Sequence, residues 1–371
     1  MVLVVDCFKL VKGVGKSIGI YNLTLNLVHN LVKEHKRENN KKMKDYKIVI
    51  LGTEHNRSDF EIIGTEFVAV KYNPFNKITC ILWEMFLVPF VCKKLKADRA
   101  LFPRGFSALT HPIKDSIIVH DLIPFYYDKN YPGYFNKLEN AYIMWRLKSS
   151  IKNCDQIITI SEASKKDIID LMKVDENKIT VIRNGCNMLA YSAEKQSAKQ
   201  YIVAITSDLP HKNADGVIRS YVKYCEISEK ALPLTVIGIT DVQKYNISAD
   251  VKDKITCHKF IKEDYDLHRI IANGSIFMFL SLIEGFGFPP IEAMQLGVPI
   301  ICSNRSSLPE VVGDAAVLVD PTDYVAVGKA IDDLVNDKIK RTELVEKGYH
   351  NIRRFSWESR GKMYWDTLMK Y

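Results

Sequence analysis

Short apolar runs rich in Val and Ile alternate along this chain with stretches of helix length, and no other feature restricts the fold as much. A strand followed by a helix and then another strand returns parallel to the first, so repeated alternation builds a parallel sheet covered by helices. In the first half the strand candidates are Leu3–Val5, Lys47–Leu51, Phe67–Val70, Ala100–Phe102, Ile117–His120, Gln156–Ile160 and Ile179–Ile182. In the second half they are Tyr201–Thr206, Leu234–Ile239, Ile255–Phe260, Ile276–Leu280, Pro299–Cys302 and Ala316–Val319. Between Asn184 and Gln200 a polar stretch lacks periodicity and reads as a connection. The expected fold is α/β, with two Rossmann-like, doubly wound parallel-sheet domains of similar size, residues 1–187 and 200–355, facing across a cleft. The 371 residues give each half room for its own core. The end, "FSWESRGKMYWDTLMKY", reads as a helix over about 356–371, capped by Ser356 and packing back on the first domain.

Charge and cysteine usage narrow the partners. A net charge of +8, spread over the chain, suits an anionic small ligand or an anionic membrane surface and falls short of a nucleic-acid signature. The basic patch Lys33–Lys44 reads as a solvated helix end and loop. Eight cysteines occur singly, without C-x-x-C pairs or zinc spacing, which predicts a reducing, cytoplasmic location. No secretory leader is expected, because "MVLVVDCF" lacks a basic start and meets Asp6 at once. The longest apolar stretch, "ITCILWEMFLVPFVC", is broken by Glu84 and Pro89 and is too short to span a bilayer. Its continuation, Leu82–Lys96, reads first as a core helix ending in lysines and second as a peripheral membrane contact.

Open α/β sheets bind ligands beyond the carboxyl ends of their strands, so residues just after each strand carry the chemistry. After the first run comes "GVGKS", Gly13–Ser17, which raises the possibility of a P-loop. That motif needs a glycine where this chain has Leu10, so an ATP- or GTP-hydrolysing site built on Lys16 is a weak alternative. The segment "FMFLSLIEGFGFPPIEAMQLGVPIICSN", Phe277–Asn304, says more. A strand runs into a glycine turn and then a helix taking Pro289 and Pro290 in its first turn, where N–H groups lack partners anyway. Free amides over Gly287–Ile291 form an anion site, and Gly285 and Gly287 let backbone approach a phosphate. Glu284 before the helix and Glu292, expected in its first turn, are acceptors for sugar hydroxyls around a diphosphate. A nucleotide-sugar satisfies both demands. "DYD", Asp264–Asp266, matches a D-x-D metal motif but reads as a helix start rich in acid.

The pair Glu284 and Glu292 within "EGFGFPPIEAM" resembles the E-x7-E signature of family 4 glycosyltransferases with the GT-B fold. The resemblance extends to Ser303–Asp323, Ile160–Asn187 and "VHDLIPFYY", Val119–Tyr127. It implies metal-independent, anomer-retaining transfer from a nucleoside-diphosphate sugar without a cofactor, with the donor on the second domain and the acceptor on the first. Lys212 then corresponds to the lysine that neutralises the leaving diphosphate, with Asn213 supporting it. Glu284 would bind the transferred sugar, Glu292 the ribose, and the backbone of Gly285, Phe286 and Gly287 the phosphates. His120 would hydrogen-bond the sugar near the reacting carbon, with Asp121 orienting its loop. Gly15 and Gly19 are the candidates for facing donor phosphate from the first domain, with Tyr21 opening the next helix. Many members carry arginine where this chain has Thr206, and Arg104 is a candidate replacement cation. "HDLIPFYY" with "TSDLPHKN" is most similar to mannosyltransferases of surface polysaccharides, giving GDP-mannose first, then UDP-hexoses or UDP-N-acetylhexosamines and dTDP-rhamnose, and a glycan or lipid-linked acceptor. A GT-B-shaped protein that binds sugar nucleotide without transferring it is the remaining alternative.

Overall fold

The computed structural model describes residues 1–13, 18–39, 46–189 and 200–369. Contacts divide the chain into two units, Met1–Gly185 with Ser356–Tyr371, and Cys186–Phe355.

In the first unit a seven-stranded parallel sheet is built from β1 (Val2–Asp6), β2 (Lys47–Gly52), β3 (Glu66–Ala69), β4 (Arg99–Phe102), β5 (Lys114–Val119), β6 (Gln156–Thr159) and β7 (Ile179–Val181), in the order β3-β2-β1-β4-β5-β6-β7. All seven coincide with predicted runs, with edges shifted by up to three residues. Central strands are buried on both faces, which is why they read as near-continuous apolar runs rather than as alternation; Leu3, Val4 and Val5 are all inaccessible. β1 registers Val4 against Val49 on one side and Ala100 on the other. The order reverses between β1 and β4, and that switch point is where a doubly wound sheet opens to a ligand. The helix Trp357–Met369 packs on the helix Ile18–Asn39, with Gly361 so close to Asn30 that a Cβ there would sit 2.6 Å from Asn30 Cβ.

The second unit holds a six-stranded parallel sheet: β8 (Ile202–Ile205), β9 (Leu234–Ile237), β10 (Ile255–His258), β11 (Ile276–Phe279), β12 (Ile300–Ser303) and β13 (Ala316–Val319), ordered β10-β9-β8-β11-β12-β13. Its switch point lies between β8 and β11. The boundary falls ahead of Asn187 because Gln295 binds the next segment, donating to Cys186 Sγ and the Asn187 carbonyl and accepting from the Leu189 amide at 2.8 Å.

Among the described residues no helix is long and apolar enough to cross a membrane. All eight cysteines are free thiols.

Candidate active site

In the second unit the loops leaving β8 and β11 flank the switch point and meet through an ion pair. After β8 a single tight turn, Pro210–Lys212, ends at Asn213, which sits in the left-handed region at φ 59 and caps the helix Ala214–Ile227. Asn213 is a structural knot: Oδ1 accepts from the Gly216 amide, and Nδ2 donates to Leu280 O at 2.9 Å and Pro321 O at 3.0 Å. Three strand ends are thereby fixed around the turn. Lys212 projects from it and donates to Glu284 Oε1 at 2.6 Å, with Nζ 6.0 Å from the Phe279 ring centroid.

Thr206 stands where many family members carry arginine, and it is buried. Its hydroxyl donates to the Lys212 carbonyl at 2.7 Å. The missing cation is therefore replaced by a brace that holds the lysine's own backbone. His211 is also buried, and desolvation, followed by the neighbouring Lys212 charge, lowers its pKa to about 4, so it stays neutral beside the lysine.

The loop after β11 is held from below. Ser306 donates to the Glu284 carbonyl at 2.8 Å, and the single proton of the Ser307 hydroxyl is shared between the Glu284 carbonyl at 2.9 Å and the Phe286 carbonyl at 2.8 Å. Gly287 takes φ 108 as N-cap of the helix Phe288–Gln295, and a Cβ there would press on Leu308 at 2.6 Å. Two expectations need correction. Pro289 and Pro290 have no N–H, so the predicted amide set Gly287–Ile291 shifts back along the chain. Among the described residues the amides of Gly285, Phe286, Gly287 and Phe288 make no hydrogen bond, and these form the donor array. Glu292 lies just past the first turn in which it was expected, as the fifth residue of the helix that starts at Phe288. Burial first, then the charge of Asp264, raises its pKa to about 6. Asp264 and Asp266 open the helix Asp264–Ala272, and Asp266 pairs with Arg269 at 3.0 Å.

In the first unit His120 follows β5 directly. Its Nε2 lies 2.8 Å from the Pro103 carbonyl, which only accepts, so Nε2 carries the proton and Nδ1 is left as an acceptor. Desolvation lowers its pKa to about 4 against the opposing pull of that carbonyl, and the ring is neutral at physiological pH. Asp121 accepts from the Ile123 amide at 3.0 Å, setting the start of the helix Ile123–Asn130.

Gly15 and Lys16 lie outside the described residues. Gly19 sits in the first turn of the helix Ile18–Asn39, exposed, with open space where a Cβ would go. Tyr21 does not open that helix, which begins three residues earlier; the ring is buried edge-on against Phe60 at 5.6 Å. Leu10, where the P-loop motif needs a glycine, is a core residue at 2% exposure.

Sequence reasoning passes over one cluster. Asp6 ends β1, accepts from Trp83 Nε1 at 3.1 Å, and has its pKa raised to about 6, chiefly by burial. Glu84, buried beside it, pairs with Lys9 at 3.2 Å and Arg104 at 2.8 Å. Arg104 is thus held by a carboxylate of its own unit. The only signal for Asp6 is its position as the first acid after a buried strand.

Residues 27–188 match the model of Glycosyltransferase Family 4, and residues 191–351 match that of Glycosyl transferases group 1. The O-antigen chain mannosyltransferase RfbU of Salmonella typhimurium is 30% identical over 224 residues, 59% of this chain and 60% of that protein. O-antigen chain mannosyltransferase B of Escherichia coli is 30% identical over 243 residues, 62% of this chain and 64% of that one. The match therefore spans just under two thirds of those relatives' length. Among solved structures, sucrose-phosphate synthase from Thermosynechococcus elongatus superposes with a TM-score of 0.71 at 15% identity, covering 100% of this chain and 98% of that one. A glycosyltransferase involved in lipopolysaccharide biosynthesis, WaaG, does so at 0.67 and 12%, covering 100% of both chains. With two sheets of GT-B type and one family model matching each half, the chain belongs to the family 4 glycosyltransferases.

Proposed function

We propose that this protein transfers a hexose, mannose from GDP-mannose in the first instance, to a glycan or lipid-linked acceptor in surface-polysaccharide synthesis, in the cytoplasm, with retention at the anomeric carbon and without a metal. The observation that carries this is the Lys212–Glu284 pair beside the unused amides of Gly285–Phe288. The pair supplies one mobile cation and one acceptor, and the amides supply fixed donors to phosphate oxygens. When the sugar–phosphate bond breaks, negative charge grows on the leaving oxygen. Amides and a lysine already in place stabilise that charge without reorganising, so they favour the transition state over the bound ground state. Glu284, released from Lys212 by the diphosphate, accepts sugar hydroxyls, while Glu292 accepts from ribose. His120, neutral, offers Nδ1 to a hydroxyl of the transferred sugar. Mannose is favoured by the names of the relatives reported above.

The test is a panel of GDP-, UDP- and dTDP-sugars with a polyprenyl-linked acceptor, following nucleotide release and the anomeric configuration of the product. GDP-mannose turnover with an α-linked product is the expected result. Release from a UDP-hexose or dTDP-rhamnose alone would reassign the donor, and no release from any sugar nucleotide would favour a binder without transfer. Magnesium-dependent ATP hydrolysis lost on Lys16→Ala would restore the P-loop reading.

A pH dependence accompanies this reading. Glu292 is a carboxylate above about pH 6 and protonated below it. Donor kcat/KM should therefore fall as pH drops through about 6, approaching tenfold per unit. Glu292→Gln should remove that limb of the profile while lowering its plateau. An unchanged limb in the variant would take Glu292 out of the donor site.

A further inference from the structure

His120 is held twice, once at its backbone and once at its ring. Ser164, in the helix Glu162–Met172, donates its hydroxyl to the His120 carbonyl at 3.1 Å. The ring is held by the Pro103 carbonyl, 2.8 Å from Nε2. Pro103 is buried, and a buried carbonyl needs a donor. In a neutral imidazole, the hydrogen bond made by one nitrogen sets which nitrogen carries the proton. The direction of this one loop carbonyl therefore decides that Nδ1 is left as the acceptor.

The loop Pro103–Gly105 leaves β4 in a tight turn, with Gly105 at φ 78 donating to the Phe102 carbonyl at 3.2 Å. A Cβ at Gly105 would fall 3.2 Å from the Ile118 carbonyl, so the loop lies against β5 just before His120. Between Pro103 and Gly105 stands Arg104, whose Nη1 donates to Glu84 Oε1 at 2.8 Å. The same oxygen accepts from Lys9 at 3.2 Å. Glu84 sits in a π-helical turn, Trp83–Leu87, with its side chain only 7% exposed. A carboxylate removed this far from water is stable only when paired, so Glu84 needs its cations and keeps Arg104 in place. The turn is itself anchored, because buried Trp83 donates to Asp6 at the end of β1 and stacks on Phe8 at 4.7 Å. One line of contacts thus runs from β1 through Glu84 and Arg104 to the carbonyl that grips the histidine.

We propose that Glu84 and Arg104 are positioning residues for His120: their ion pair fixes the loop that holds the imidazole proton on Nε2 and leaves Nδ1 to accept. The kinetic half of this rests on the reading above, in which His120 meets the transferred sugar.

The test combines imidazole N–H spectroscopy on histidine-labelled protein without substrate with steady-state kinetics. The parent should show a slowly exchanging Nε2–H proton, identified by its absence in His120→Asn. Arg104→Met and Glu84→Ala should both lose that signal, while Glu84→Gln, which keeps an acceptor oxygen, should retain it. In the two losing variants kcat should fall by about ten- to a hundredfold, the scale of a small misplacement of a reacting group. KM should move less than about threefold, and the double variant should be no slower than the slower single. Melting curves separate this from unfolding, and if Glu84→Ala does not fold, Arg104→Met decides. A signal intact in Arg104→Met overturns the proposal, and raised KM with parental kcat there would make Arg104 a substrate contact instead. Parental kcat in a variant that has lost the signal also overturns it. Because the proton is read without substrate, absence of transfer from every sugar nucleotide would count against the functional reading and leave the hold on His120 to be decided by the signal.

Discussion

Lys212→Ala is expected to lower kcat by about two to three orders of magnitude, the range seen when one preorganised donor to developing negative charge is removed. Two features make this lysine a demanding position. Its backbone is fixed by Thr206 and by the Asn213 knot, so the ammonium starts from a set place. Among its neighbours, His211 is held neutral, which leaves Lys212 as the cation of that turn. Glu284→Ala should cost a comparable factor for a different reason, the loss of an acceptor for sugar hydroxyls. Because the two groups are bonded at 2.6 Å, their effects should not add: the double variant should be much less impaired than the product of the singles. The measurement is steady-state kinetics with the best donor from the panel, with melting curves to separate rate loss from unfolding. Near-parental kcat in both single variants would remove the site assignment, and strict multiplicativity would remove the pairing from the reaction.

All thirteen predicted strand runs coincide with strands among the described residues, and the reason is local. A parallel strand buried on both faces favours a near-continuous apolar run, and such a run shows in sequence without any tertiary knowledge. The glycine turn before Phe288 was readable for the same reason, since a positive φ at Gly287 demands that residue type. What was not readable depends on partners far apart in the chain. Glu84 and Arg104 are 20 residues apart and Asp6 and Trp83 are 77 apart, so their cluster exists only after folding. Thr206 looked like a lost cation because sequence shows the residue type and not the carbonyl it holds. The stretch Leu82–Lys96 reads as a core helix, and Trp83, Val88 and Cys92 are indeed buried in the core, while Phe86 and Phe90 are exposed; its apolar content is high on both faces, and only exposure separates Trp83 from Phe90. Helix starts are the weakest point: Glu292 and Tyr21 each lie further into their helices than expected, since the helices start at Phe288 and, among the described residues, at Ile18.

Gly238→Ala should be the most destabilising single methyl added to the second unit. Gly238 follows β9 at φ 115, donates to His258 O at 2.7 Å, and lies so close to the end of β8 that a Cβ would fall 1.8 Å from the Thr206 carbonyl oxygen. That neighbour is backbone and cannot swing aside. A left-handed φ costs an L residue roughly 1–3 kcal/mol, and overpacking a fixed backbone costs about as much again. A loss of about 3 kcal/mol or more is expected, which lowers Tm by roughly 6–12 °C for a unit of this size. The displacement also has a direction. Pushing the Thr206 carbonyl away drags its hydroxyl from Lys212 O at 2.7 Å, so the fraction that stays folded should turn over more slowly than the parent. Gly19→Ala is the control for stability, because among the described residues nothing lies within 4 Å of its added methyl and the site is helical; its Tm should stay level or rise slightly. A Gly238→Ala protein melting within a degree or two of the parent would mean that β8 and β9 do not approach as closely as described. The brace under Lys212 would then lose the contact that fixes it.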